Sequence, residues 1–170
     1  MRRVHIVGRK NSGKTTLIGE LVRYFGSQGL RVGVIKHTHH RHELDVPGKD
    51  SYLHREAGAP IVGILASNMQ AVFWSQQRES KESDPYARMS ALFADCDLVL
   101  VEGDVEAPMT KVEVWRANNH PYPIASERSD IDAVISDDPL TLGIPHWNRS
   151  DISSLGQNLL RLIETAWRKE

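Results

Sequence analysis

Gly8-Arg9-Lys10-Asn11-Ser12-Gly13-Lys14-Thr15 is the stretch from which the rest of the chain can be placed. It fits the phosphate-loop pattern G-x-x-x-x-G-K-[ST] at every fixed position. Its flanks fit as well: Val4, Ile6 and Val7 spell a short buried strand, and Leu17, Leu21, Val22 and Phe25 recur at helical spacing. A strand must feed such a loop so that successive backbone N–H groups curl around a phosphate. A helix must follow so that its N-terminus faces the same anion. Gly8 and Gly13 allow close backbone approach. Lys14 is expected to bridge the β- and γ-phosphates, and the Thr15 hydroxyl to ligate Mg2+. The other reading, a glycine turn joining a strand to a helix, explains neither the spacing nor the lysine. The stretch predicts a nucleoside triphosphate site.

Composition narrows the setting. A chain of 170 residues is expected to form a single domain, residues 1–170, with a core that needs no disulfide or metal. Hydrophobic residues at 40% and charged residues at 25% are ordinary globular values. One cysteine, Cys96, excludes a disulfide framework and suits a reducing cytoplasm. No signal peptide is expected, and no apolar run approaches the roughly 20 residues that span a bilayer. Residues 1–55 hold 11 Lys/Arg against 4 Asp/Glu, and residues 56–170 hold 10 against 18. The anion-attracting face therefore lies beside the loop. Aromatic interleaving for base stacking is absent, so a polyphosphate explains this asymmetry better than nucleic acid does.

The pattern along the chain predicts an α/β fold: a three-layer P-loop NTPase fold, with a mainly parallel sheet and an antiparallel hairpin. The first helix is expected over 14–28, with Gly29 as its left-handed stop. Val32 to Ile35 is a second strand, parallel to the first through a right-handed crossover. A polar loop over 36–49 leads to a short helix capped by Asp50 or Ser51. Ile61 to Leu65 and Ala71 to Trp74 form the hairpin. Residues 75–85 read as polar and exposed, and Tyr86 to Phe93 as a helix. Leu98 to Val101 is the most apolar strand and belongs in the middle of the sheet. Lys111 to Arg116 alternates like a half-exposed strand, residues 117–130 like a loop. Ala133 to Ile135 is a buried strand, Ile144 to Trp147 an edge strand, and a last helix starts from Ser150 or Asp151.

Ligands in open α/β sheets sit beyond the carboxyl ends of the strands, so the polar residues at those ends carry functional weight. They are Lys36 and His37, Glu102 and Gly103, and Ser136 and Asp137. Glu102, after four apolar residues, reads as a Walker B carboxylate that holds Mg2+ directly or through water; the alternative is the start of a solvated loop. Lys36, His37, His39, His40 and His42 admit three readings. They are a transition-metal site, a basic lid over a phosphorylated ligand together with Lys49 and Arg55, or a solvated loop. Asp137 either accepts from guanine or belongs to a plain turn. Arg9 is either a surface arginine or one that reaches across a dimer interface.

These residues resemble a known family, the molybdopterin-guanine dinucleotide biosynthesis adapter proteins (MobB), within the SIMIBI class of P-loop NTPases. The matching segments are 8–16, 32–40, 47–52, Arg55 with 57–59, and 97–103. Weaker echoes lie at Lys111-Val112 and at residues 133–137. The Lys-His-Thr-His-His and Pro-Gly-Lys-Asp-Ser blocks are the specific ones. The resemblance implies a homodimeric GTP-binding protein with weak GTPase activity. It would assist the nucleotidyltransferase MobA, which joins GMP to molybdopterin, in the cytoplasm. Gly8, Asn11, Ser12, Gly13, Lys14, Thr15, Thr16 and Asp137 would then hold GTP, and Thr15 and Glu102 the Mg2+. Lys36, His37, His39, His40, Lys49, Asp50, Ser51 and Arg55 would hold phosphates or the pterin cofactor. One departure stands out: the family usually follows Val-Glu-Gly with an aromatic residue and a lysine, where this chain has Asp104-Val105. Two other functions share the loop, a small-molecule kinase or ligase of the dethiobiotin synthetase type and a metallochaperone GTPase.

Overall fold

Six short apolar runs assemble into one sheet in the computed structural model, which describes residues 1–38, 43–74, 84 and 86–168. Chain contacts divide it into two compact units, residues 1–38 with 88–170, and residues 39–87. In the first unit the strands are β1 (Arg3–Val7), β2 (Val32–Lys36), β5 (Leu98–Glu102), β6 (Lys111–Val114), β7 (Ala133–Ile135) and β8 (His146–Trp147). They run in the order β2-β5-β1-β6-β7-β8. Every neighbouring pair is parallel. The apolar Leu98 to Val101 run is thus paired on both sides, between β2 and β1, as its composition predicts.

Two helices complete this unit, α1 (Lys14–Ser27) and α3 (Ile152–Trp167). Their apolar stripes, Leu17, Leu21 and Phe25 with Leu155, Leu159 and Ile163, share a core with Val4, Ile6, Leu98, Leu100, Val112, Val114 and Ile135. The sheet residues in that core occupy alternate positions, so they belong to one face. α1 ends where Gly29 turns left-handed (φ 81°), and the Leu30 N–H returns to the Phe25 carbonyl at 3.0 Å, closing the last turn. α3 begins at Asp151, whose carboxylate accepts from the Ser154 amide. Residues 87–93 wind as a 3-10 helix.

The other face of the sheet mixes buried Val99, Val101 and Val134 with Arg3, His5, Lys111 and Glu113, and here the reading of β6 needs correction. Lys111 and Glu113 are not half-exposed; they are 2% and 0% exposed. The strand is internal, between β1 and β7, and loops cover its charged side. Lys111 Nζ donates to the Ala107 carbonyl at 2.6 Å and to Asp130 Oδ2 at 2.5 Å. Glu113 accepts from the amides of Ile124 and Ala125 at 2.7 and 2.8 Å. Charge alternation in sequence marks a face that is solvated or one whose charges are all paired. Only the covering loops distinguish the two.

The second unit holds α2 (Asp50–Glu56) and the antiparallel hairpin β3 (Ile61–Leu65) and β4 (Gln70–Trp74). Lys49, not Asp50 or Ser51, is the cap residue of α2, and it makes no side-chain cap bond. Arg55 on α2 stacks over the rings of Tyr52 and Phe73, 5.6 and 5.3 Å from their centroids. His39, His40 and His42, with most of the polar stretch 75–85, lie outside the described residues.

The Lys111–Asp130 pair separates removal of one partner from removal of the charge. Asp130→Ala strips a buried ammonium of its carboxylate. Because Asp130 is itself 44% exposed, water replaces part of the pairing, and a loss of about 2 kcal/mol is expected. Lys111→Met removes the buried charge and keeps its length, so it should lose less. Urea melts of the two variants check that order.

Candidate nucleotide-binding site

The turn out of β1 is built on backbone crowding. Gly8 has φ 141°, and a Cβ there would stand 2.4 Å from the Val114 carbonyl oxygen and 2.9 Å from Ser12 Oγ. Only glycine lets the loop leave the strand so close to β6. Asn11 takes a left-handed conformation (φ 64°), which asparagine tolerates. Gly13, with φ 95°, precedes the first helical residue and supplies no side-chain cap to α1, whose first turn carries no acidic residue. The helix therefore presents its leading amides and positive dipole end to the loop, unsatisfied by any side chain of its own. Ser12 is 1% exposed, and its hydroxyl has no partner among the described residues.

Lys14, Thr15, Glu102 and Lys36 converge beside this loop. Lys14 Nζ donates to the carbonyls of Gly8 and Arg9 at 2.8 and 2.7 Å. Burial pushes its pKa down; Glu102 opposes that shift and Lys36 adds to it. Thr15 Oγ1 donates to Glu102 Oε1 at 2.9 Å. Lys36 and Glu102 are register partners on neighbouring strands, so their side chains leave the sheet on the same face. Thr16 follows, exposed, in the first turn of α1. Two hard oxygen donors, a hydroxyl and a carboxylate already in contact, suit a Mg2+ ion that keeps water and phosphate as its other ligands.

Other predicted residues stand elsewhere. Asp137 is at the exit of β7, as expected, but both its oxygens are engaged: Oδ1 accepts from the Ser150 amide and Oδ2 from the Ser150 hydroxyl. That contact holds its pKa below the usual carboxylate value. His37 continues the β2–β5 ladder, its amide donating to the Glu102 carbonyl at 2.9 Å. Lys49, Asp50, Ser51 and Arg55 belong to the second unit. Lys49 and Asp50 are exposed there. Ser51 donates to Asp45 at 2.9 Å, and Arg55 pairs with Glu43 at 2.6 Å and Asp45 at 3.5 Å. The charge of Arg55 is thus balanced inside its own unit.

Sequence reading passed over the loop that follows β6. The Asn119 side chain donates to the Lys10 carbonyl at 2.8 Å, and the Ala117 amide donates to Asp138. These bonds tie residues 116–120 to the phosphate loop on one side and to the β7 exit on the other. The Asn118-Asn119 dipeptide was the available signal, since asparagine favours such local turns. Beneath it, burial pushes the Glu113 pKa up, against the two amides and the charges of Arg9 and His120.

A six-stranded parallel sheet with a phosphate loop leaving β1 and a carboxylate ending the adjacent β5 has the architecture of the P-loop NTPases. Within that class, the family model described as "MobB: Molybdopterin guanine dinucleotide synthesis protein B" matches residues 3–137. The chain belongs to this family. It is 36% identical over 156 residues to the molybdopterin-guanine dinucleotide biosynthesis adapter protein of Escherichia coli K12, covering 90% of this chain and 88% of that one. The crystal structure of Bacillus subtilis MobB superposes with a TM-score of 0.71 at 25% identity, covering 95% of this chain and 98% of that one. That of a MobB homolog from Bacillus stearothermophilus gives 0.67 at 26% identity, with 97% and 99% covered.

Two variants probe the frame of the site. Gly8→Ala places a methyl against a backbone carbonyl at a disfavoured φ, and should destabilise the fold by about 2–4 kcal/mol in denaturant melts. Glu113 has a folded pKa above its ordinary value of 4.5, so its ionisation works against the folded state. Its contribution is fullest below that pH and is lost as pH rises through the folded value. The stability of the wild type relative to Glu113→Gln should therefore fall as pH rises above about 4.5.

Proposed function

We propose that this chain binds GTP with Mg2+ at the loop 8–15, hydrolyses it slowly, and serves as an adapter in molybdopterin-guanine dinucleotide biosynthesis. The observation that carries the nucleotide reading is the convergence of Lys14, Thr15 and Glu102 at the uncapped N-terminus of α1. Lys14 exchanges its two carbonyl partners for phosphate oxygens, a stronger charge-assisted contact. The loop amides and Lys36 share the remaining negative charge. The metal, when bound through Thr15 and Glu102, neutralises charge on the terminal phosphates.

Slow turnover follows from the carboxylates at the strand exits. Glu102 accepts from Thr15, Asp137 from Ser150 and Asp138 from the Ala117 amide, so each already has a protein donor rather than standing free as a dedicated base. Guanine in preference to adenine rests on the family's named product, a guanine dinucleotide. Asp137 would serve the base only by giving up Ser150. The adapter role implies a partner that performs the nucleotidyl transfer, the guanylyltransferase MobA, and a homodimeric, cytoplasmic protein that meets molybdopterin through the basic blocks at 36–40 and 49–55. Among the described residues no helix is long and apolar enough to cross a membrane.

Titration of the purified chain with GTP and ATP, with and without Mg2+, tests this reading. GTP should bind more tightly than ATP, and Mg2+ should strengthen binding. Lys14→Ala should weaken binding by roughly 10- to 100-fold, as expected for loss of a charged hydrogen-bond donor. Equal affinity for both nucleotides, or indifference to Lys14, would defeat it. So would rapid GTP turnover without a partner.

A further inference from the structure

The phosphate loop has two unlike flanks. Sheet order puts β5 and β2 on one side of β1, and β6, β7 and β8 on the other. Thr15 and Glu102, the groups placed above at the metal, and Lys36, the register partner of Glu102, all gather on the β5 side. A phosphate chain lying across the loop therefore turns its nucleoside end toward β6.

Arg116 stands at the exit of β6. Its guanidinium lies against Gly13: a Cβ built there would meet Nη2 at 3.0 Å, Cζ at 3.3 Å and Nε at 3.5 Å. Its backbone is fixed on both sides. Trp115 is buried, and its indole N–H donates to the His120 carbonyl at 2.9 Å. The Arg116 carbonyl accepts from the amides of Asn119 and His120 at 3.0 and 3.2 Å. Asn119 in turn reaches the loop at Lys10. The guanidinium itself is exposed, with no hydrogen-bond or ion-pair partner among the described residues. Two other arginines of this unit are engaged, Arg128 with Glu106 and Asp130 and Arg149 with Glu20. A side chain held at its root and unpaired at its head, beside an uncapped helix start, is set up for an anion.

Resting on the nucleotide reading above, we propose that Arg116 is a phosphate-binding residue of this site, gripping the α- and β-phosphates from the flank opposite Lys36. Its planar fork offers two parallel N–H donors to phosphate oxygens, which a lysine does not. Its distance from the metal flank makes its contribution common to GDP and GTP, whereas that of Lys36 belongs to the triphosphate.

Binding of fluorescent GDP and GTP by the full chain, compared with Lys14→Ala, Lys36→Ala, Arg116→Ala and Arg116→Lys, tests this. Arg116→Ala should weaken GDP and GTP by the same factor, roughly 10- to 100-fold, with Arg116→Lys in between. Its melting temperature should match the wild type, because the side chain has no protein partner to lose. Lys36→Ala should weaken GTP more than GDP. If Arg116→Ala binds GDP as the wild type does while Lys14→Ala has lost it, the proposal fails and the nucleotide reading survives. A loss confined to GTP overturns the placement on the α- and β-phosphates. A wild type that binds neither nucleotide overturns both readings together.

Discussion

The space beside Gly8 is closed by a carbonyl. The Val114 oxygen of β6 stands where a side chain on Gly8 would begin, and this contact places the phosphate loop. It forces the chain to leave β1 in a conformation open to glycine, and it sets how far the loop rises above the sheet before α1 starts. An α1 begun at Gly13 has no side-chain cap, so its leading amides stay available to a ligand. Lys14 and Thr15, the first residues of that helix, then meet the exit of β5, because that strand lies next to β1 on its other side with β2 beyond it. One backbone contact thus connects sheet order to the chemistry at the loop.

β6 earns its rigidity from a face that looks wrong for a buried strand. Lys111 and Glu113 sit among apolar neighbours, yet each is satisfied: the ammonium by a carbonyl and a carboxylate, the carboxylate by two amides. Burying charge without such partners is prohibitive, so these bonds also pin the covering loops at 107, 124–125 and 130. The strand is anchored through its polar face and its apolar face alike. That gives Val114 a fixed position against Gly8 and Arg116 a fixed root against Gly13.

Membership in the MobB family bears on parts of the chain that the phosphate loop does not explain. The basic block around α2 shares its pattern with the family, but Arg55 and Ser51 work there as staples, on Glu43 and Asp45. In that unit the pattern keeps a loop folded as well as offering cations. The departure at Asp104 also has a local logic. The residue takes a left-handed conformation (φ 62°), which aspartate tolerates better than most residues. Its charge favours the protonated form of His5, opposing the burial that dominates there.

Local pattern alone determined the phosphate loop, the helix that follows it, the hairpin at 61–74 and the acidic end of β5. Each depends on neighbours within a few positions: glycine spacing, apolar periodicity, a carboxylate after four aliphatic residues. Sequence also carried the family, because its blocks are contiguous. Tertiary structure alone decided that Lys111 and Glu113 are buried, that Asp137 is tied to Ser150, and that Arg116 and Asn119 belong beside the loop. Those facts turn on partners between 11 and 109 positions away, where no local period reports them. A charged residue in a strand looks the same in sequence whether water or a distant carbonyl receives its hydrogen bond.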